Sequence, residues 1–291
     1  MKTAVLLCVA LAGCACALAA GEGDEVQAAV GKLEKAFFTD VPAPSKKESH
    51  GLRIINGQVA APGQFPYYVG VYIDLSGFCG GSLINKKWVL TAAHCVDGGN
   101  FWALFMGVTS MWMAKQEGRE VHVTRGGLHH PDYDSKLIIN DLGLIQLMNE
   151  VTITNLIGTV TLTPKGVDYV GSSPTVAGFG KIHDLPKIIS DDLMFTSMPV
   201  VSSDICYDAY GSEHPSFICL ATDQVKTSSC NGDSGGPLVV YDAQNNPTQI
   251  GATSFGATAS CEEGYPVGFV NLAYFIDWIA ESTGIPYPFN Q

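Results

Sequence analysis

Charge is scarce in this chain of 291 residues: 15% of the residues are Asp, Glu, Lys or Arg, against 46% hydrophobic. Positive charge is the scarcer sign. Sixteen Lys and Arg face 28 Asp and Glu, a net charge of -12. The charges up to Arg53 cancel, so the whole excess lies downstream, where Arg119 and Arg125 are the only arginines. A surface of that sign repels phosphate backbones and anionic lipid, which argues against nucleic acid and membrane partners. Beyond the N-terminal region there is no Asn-x-Ser/Thr glycosylation acceptor and no C-x2-C pair of the zinc kind. His129-His130-Pro131-Asp132 carries ligand-type side chains at a spacing that fits no zinc motif, and Asp97, Glu117 and Glu120 are too scattered for a calcium loop. Gly178-Phe179-Gly180 lacks the third glycine and the helix of a dinucleotide loop. No metal and no cofactor are expected.

The start of the chain is a different matter. Lys2, an apolar run from Ala4 to Leu11 and small residues through Ala20 have the three zones of a secretory signal, so residues 1–20 are expected to be removed. The run is too short, and too diluted by Gly13 and three cysteines, for a membrane anchor. Leu11-Ala12-Gly13-Cys14 also mimics a lipoprotein cleavage site, a lesser alternative. Loss of Cys8, Cys14 and Cys16 leaves six cysteines in a chain bound for an oxidising compartment, and six cysteines allow 15 pairings. In residues 21–53, Val26, Val30, Leu33 and Phe37 recur at helical spacing before a Pro- and Lys-rich tether; a disordered leader is the alternative.

Chemistry is concentrated in three short stretches. Gly232-Asp233-Ser234-Gly235-Gly236-Pro237 reads as a serine nucleophile in a glycine-built loop, and Thr91-Ala92-Ala93-His94-Cys95 supplies a base. A serine hydroxyl is a poor nucleophile at neutral pH, so it needs a base within reach, and that base needs a third group to fix its tautomer. Asp141, in Asn140-Asp141-Leu142, is the candidate. Taken singly, each of the three is more simply a structural residue; the set, in the order His94, Asp141, Ser234, resembles the chymotrypsin/trypsin family of serine endopeptidases. The resemblance runs from Ile54 to about Gly284 and is nearest to arthropod digestive chymotrypsins.

Downstream of Ile54 the pattern is β. Runs such as 67–73, 87–90, 121–124, 142–147, 175–177, 238–240 and 249–254 are rich in β-branched and apolar residues and are separated by Gly, Asn, Asp and Pro. Only the end reads as helix: Leu272, Phe275, Ile276 and Ile279 share a face between Asn271 and Gly284. No internal repeat is evident. The resemblance implies an all-β fold of two six-stranded Greek-key barrels with a C-terminal α-helix. It gives a signal at 1–20, an activation propeptide at 21–53 and a protease domain at 54–291. Within that domain, barrel one is expected at about 54–160, barrel two at about 161–270 and the helix at about 271–283.

The resemblance also implies roles. His94, Asp141 and Ser234 form the triad, and the backbone amides of Gly232 and Ser234 form the oxyanion hole. Cleavage after Arg53 by a trypsin-like activator frees the Ile54 amine to pair with Asp233. The disulfides are Cys79–Cys95, Cys206–Cys219 and Cys230–Cys261. Ser254 supports Asp141 and begins the strand that pairs with substrate backbone. Ser228 floors the primary pocket and is neutral, which disfavours Lys and Arg. Gly256 leaves the entrance open, while Val267, where open pockets have glycine, makes it shallower unless its side chain points away. Glu262 and Glu263 lie near the pocket and read as a solvated turn. The expectation is a secreted, monomeric zymogen that cleaves proteins or peptides after Phe, Tyr, Leu or Met, restrained by protein protease inhibitors, with the gut lumen as a setting. The alternatives are an elastase-like preference for small aliphatics, a selective processing or venom protease, and a non-catalytic binding homologue.

Overall fold

A computed structural model of the chain describes residues 57–74, 76–110, 118–181, 190–211, 214–223, 225, 227–256 and 261–288. The signal, the propeptide, Arg53 and Ile54 lie outside the described residues.

Two sheets form the framework of the described chain. In the first, β2 (Tyr68–Ile73), β3 (Gly77–Asn85), β4 (Trp88–Thr91), β5 (Trp102–Met106), β6 (Glu120–Thr124), β7 (Gly126–His129) and β8 (Gly143–Gln146) follow the order β6-β5-β2-β3-β4-β8-β7. The two ends of that order are one stretch of chain. β6 and β7 are separated only by Arg125; the first half pairs with β5 and the second with β8. This bend closes the sheet into a ring of six strands. Val69, Val71, Leu83, Val89, Leu104 and Ile145 alternate into its centre and are fully buried.

The second sheet repeats the device. Its members are β1 (Gln58–Val59), β9 (Thr161–Leu162), β10 (Thr175–Gly178), β11 (Met194–Ser197), β12 (Val200–Val201), β13 (Phe217–Leu220), β14 (Pro237–Tyr241), β15 (Pro247–Phe255) and β16 (Val267–Asn271). The order is β1-β11-β10-β14-β15-β16-β13-β12, with β9 added beside β15. β11 and β12 form one run that turns at Pro199; its first half pairs with β10 and its second with β13. Setting aside the two-residue strands β1 and β9, the second ring also has six strands, in the same Greek-key succession as the first. Val176, Leu220, Leu238, Ile250 and Phe269 fill it. The chain passes between the rings at residues 160–163, where the Val160 amide donates to Leu83 and the Thr163 amide to Gln249.

Among the described residues, two α-helices accompany the sheets. The C-terminal one, Leu272–Thr283, buries Leu272, Ala273, Phe275, Ile276 and Ile279 and ends at Gly284 in the left-handed conformation, φ 69°. Asn271 precedes it, but its side-chain amide donates to the Pro215 carbonyl and not to the helix. A second helix, Ser203–Tyr210, corrects the reading that only the chain's end is helical. Cys206 is its one buried residue, while Ile205 and Tyr207 are exposed, so it shows no apolar stripe to read. Disulfides join Cys79 to Cys95, Cys206 to Cys219 and Cys230 to Cys261. The Cys206–Cys219 bridge ties the short helix to β13, where its packing alone is slight.

Candidate active site

The loop between β13 and β14 carries Ser234, and glycines allow its path. Gly232 and Gly235 have φ of 101° and 76°, a region costly for other residues. A Cβ at Gly235 would lie 2.1 Å from Thr91 Oγ1 and 2.9 Å from the Ala92 amide nitrogen, so the loop sits directly on the Thr91–Cys95 stretch. The Ser234 carbonyl accepts from the Gly80 amide at 2.7 Å, and Thr91 Oγ1 donates to the Gly80 carbonyl at 2.8 Å. The Gly235 amide donates to Thr253 O and the Asp233 amide to Cys230 O. Among the described residues the Gly232 and Ser234 amides have no acceptor, which leaves two adjacent donors for a bound oxygen.

His94 lies in a single 3-10 turn, Ala93–Cys95, just after β4. Its backbone amide donates to Asp141 Oδ1 at 2.9 Å, and its ring Nδ1 is 2.8 Å from Asp141 Oδ2. An ionised carboxylate only accepts, so Nδ1 carries the proton and Nε2 is left as the acceptor. Ser254 Oγ donates to the same Asp141 oxygen at 2.6 Å. The register between β15 and β16 slips between Thr253 and Phe255, leaving Ser254 as the extra residue of a β-bulge. Such a bulge re-aims a side chain, and here it delivers a hydroxyl to the buried Asp141. Burial opposes a charged His94, yet the hydrogen bond and negative charge of Asp141 outweigh it and raise the imidazole above the usual histidine range.

Asp233, beside the serine, is fully buried. Burial pushes its carboxyl up to about 6, although the amides of Cys230 and Gly180, at 2.9 and 2.7 Å, favour the ionised form. The carboxylate is wedged between two glycines: a Cβ at Gly178 or Gly180 would come within 2.1 or 2.3 Å of it.

Next to Ser234 lies a cleft of about 90 Å³ lined by Ser228, Cys230, Asn231, Phe255, Tyr265 and Val267 among others. Ser228 is buried and donates to the Ser229 carbonyl, so the polar floor is neutral and internally satisfied. Val267 faces the cleft: a Cβ at Gly256 would stand 3.3 Å from Val267 Cγ1, which puts valine and glycine on opposing walls. Glu262 and Glu263 are exposed and line no part of the cleft. The sequence reading missed Gly80, which holds the Ser234 carbonyl, and Tyr265, in the cleft wall. Gly80-Gly81 and the Gly264-Tyr265-Pro266 turn were the signals that could have drawn attention to them.

Comparison with known proteins gives this geometry its context. The family model described as Trypsin matches residues 54–279. Brachyurin of Leptuca pugilator is 40% identical over 233 residues, covering 80% of this chain and 99% of the relative. Chymotrypsin of Phaedon cochleariae is 32% identical and covers 78% and 81%. Among solved structures, HL collagenase superposes with a TM-score of 0.71 at 34% identity, covering 80% of this chain and all of that one. A matched region of this extent, together with two closed β-rings, makes the chain a member of the trypsin family of serine endopeptidases.

Proposed function

We propose that this serine endopeptidase cleaves peptide bonds after apolar residues, with leucine and methionine preferred over the largest aromatics. The observation that carries the reading is Val267 opposite Gly256 above a neutral Ser228. Among the described residues no carboxylate lines the cleft to pair with Lys or Arg. Its volume of about 90 Å³ is below the roughly 150 Å³ in which an apolar protein cavity takes up benzene. That narrowness favours, as a second reading, an elastase-like taste for Ala and Val.

In this mechanism His94 Nε2 takes the Ser234 hydroxyl proton as Oγ attacks the scissile carbonyl. Asp141 holds the imidazole and stabilises its charged form, and the Gly232 and Ser234 amides receive the developing oxyanion. The proton passes to the leaving amine, an acyl-enzyme forms, and water releases it by the reverse sequence. The base form of His94 exists only above its pKa, and that pKa is raised. Activity is therefore expected to fall as pH is lowered through a point above the ordinary histidine value near 6.5. A kcat/KM profile against pH measures it, and an acid limb below that value would contradict the Asp141 pairing.

The enzyme is read as a secreted monomer, consistent with its three disulfides. It is made with residues 1–20 as signal and 21–53 as propeptide. A trypsin-like protease activates it by cutting after Arg53, and protein inhibitors restrain it. Few tryptic sites in residues 54–291 suit a gut lumen shared with trypsin. The test is trypsin activation of the proform, followed by hydrolysis of peptide amides varied only at the residue before the cut. Preference for Leu and Met supports the first reading, and Ala or Val in front supports the second. Val267→Gly should raise the Phe-to-Leu ratio by about tenfold or more, since filling or opening such a pocket is worth roughly 1–3 kcal/mol. An unchanged ratio would remove Val267 from the specificity argument.

A further inference from the structure

A polar side chain taken wholly out of water needs a reason, and Gln249 is the one buried carboxamide among the described residues. Its partners satisfy it. Ser82 Oγ donates to Gln249 Oε1 at 2.7 Å, and Gln249 Nε2 donates to the Gly251 carbonyl at 2.9 Å. Ser82 is as deeply buried as the amide it meets. Their chain neighbours Leu83 and Ile250 belong to the cores of the first and second ring. By strand alternation Ser82 and Gln249 therefore leave from the outer faces, and their bond spans the seam between the rings. An apolar pair would fill such a seam with less desolvation. It would not fix how far one ring has slid along the other, because apolar contact is non-directional and a hydrogen bond is not.

Both ends of this bond lead to the chemistry. On the first ring, Ser82 stands two residues from Gly80, whose amide donates to the Ser234 carbonyl at 2.7 Å. Ser82 also lies opposite Leu90 of β4, the strand that runs into the His94 turn. On the second ring, β15 carries Gln249 and, further along, Thr253 and Ser254. The Gly235 amide donates to Thr253 O at 2.7 Å and the Thr253 amide to Gly236 O at 2.9 Å, which fastens the serine loop to this strand. Ser254 Oγ reaches Asp141 at 2.6 Å. β15 thus bonds to the first ring through Gln249 on Ser82 and through Ser254 on Asp141. The segment connecting the rings is held at the same place, with the Thr163 amide on Gln249 O and the Val160 amide on Leu83 O, each at 3.0 Å.

We propose that Gln249 and Ser82 are positioning residues for catalysis: their buried bond sets the register of β15 against the first ring, and so the placement of Ser234 against His94 and of Ser254 against Asp141. This rests on the catalytic roles given above. A misplacement of about 1 Å, caused far from the reacting atoms, can cost about 10²-fold in rate. Selecting one register over its neighbours, without a gain in stability, is the best-attested use of a buried polar pair.

The experiment compares the trypsin-activated enzyme with Gln249→Met, which keeps the length of the side chain without its polar atoms, with Ser82→Ala, and with the double variant. Thermal midpoints are read beside kcat and KM on one peptide amide, all assayed well below the lowest midpoint. Each single variant strands a buried polar group and should lower the midpoint, whereas the double variant removes both groups and should return it to the wild-type value or above. Turnover should not follow. In Gln249→Met and in the double variant kcat should fall by about tenfold or more. KM should change little, because Ser228, Gly256 and Val267 of the cleft all belong to the second ring's part of the chain. A midpoint restored while kcat stays low is what a merely structural pair would not give. A kcat that returns with the midpoint in the double variant, or an unchanged kcat in Gln249→Met, would overturn the proposal. A Ser234→Ala enzyme as active as wild type would instead overturn the triad on which the proposal rests.

Discussion

Replacing Ser234 by alanine is expected to lower kcat on a peptide amide by about 10⁶-fold, the loss measured when the nucleophile is removed from the same constellation on another fold. The size follows from what the hydroxyl does. Without Oγ there is no acyl-enzyme, and His94, however well oriented, has no proton to take. What remains is water attacking a carbonyl held between the cleft and the Gly232 and Ser234 amides, and that residue of catalysis should still exceed the uncatalysed rate by about 10³- to 10⁴-fold. The loop itself should survive. Its course is set by backbone bonds, Ser234 O to Gly80, Gly235 N to Thr253 O and Gly236 N to Asp233 O, none of which uses the side chain. A thermal midpoint near wild type with no burst of released product would place the loss in chemistry. A burst that persists would mean that another group attacks.

Asp141→Asn is expected to cost about 10⁴-fold in kcat at neutral pH with little change in KM, the scale known for this substitution in the same catalytic constellation. The carboxylate accepts three hydrogen bonds: Oδ1 takes the His94 backbone amide, while Oδ2 takes the imidazole and the Ser254 hydroxyl. An amide in its place is part donor. If its NH2 faces Nδ1, the ring proton moves to Nε2, and the nitrogen that should accept from Ser234 is then itself a donor. The raised His94 pKa should fall as well, because the charge and hydrogen bond that offset burial are gone. The pH profile of the variant separates the two effects: an acid limb shifted downward reports the lost charge, and a rate deficit persisting on the plateau reports the wrong tautomer. A plateau within tenfold of wild type would mean that Asp141 does not set the tautomer.

The three residues proposed as the triad could be singled out, and so were legible, because each sits in a short, idiosyncratic string. Nothing about its assembly was: Ser254 reaches Asp141 only because β15 carries a bulge, and a bulge is a relation between two strands, invisible in either alone. Strands whose runs are rich in β-branched or apolar residues, such as β2, β8 and β15, could be read from those runs, whereas β3 could not. Its Gly77, Gly80 and Gly81 carry low β-propensity, and at Gly80 and Gly81 Gly236 and Val89 pass too close for a side chain. The two rings have one topology but no visible repeat in sequence, since the same ring can be filled by Met106 and Leu104 in one case and by Phe269 and Ile250 in the other. Val267 could be named as an odd residue from the resemblance alone. Which way it points needed Gly256 opposite it.

The bends at Arg125 and Pro199 have a consequence for survival among proteases. An endopeptidase grips its substrate as an extended strand, adding main-chain hydrogen bonds along one edge. In both rings the described strands between the bends have neighbours on their two sides, so their backbone is spoken for, and only short stretches at the bends and the two-residue strands β1 and β9 have a single neighbour. A second copy of the enzyme, or another endopeptidase, finds little free strand edge among the described residues and is left mainly the connections between strands. Closing each sheet on itself thus protects the enzyme from its own kind of recognition, without any inhibitor.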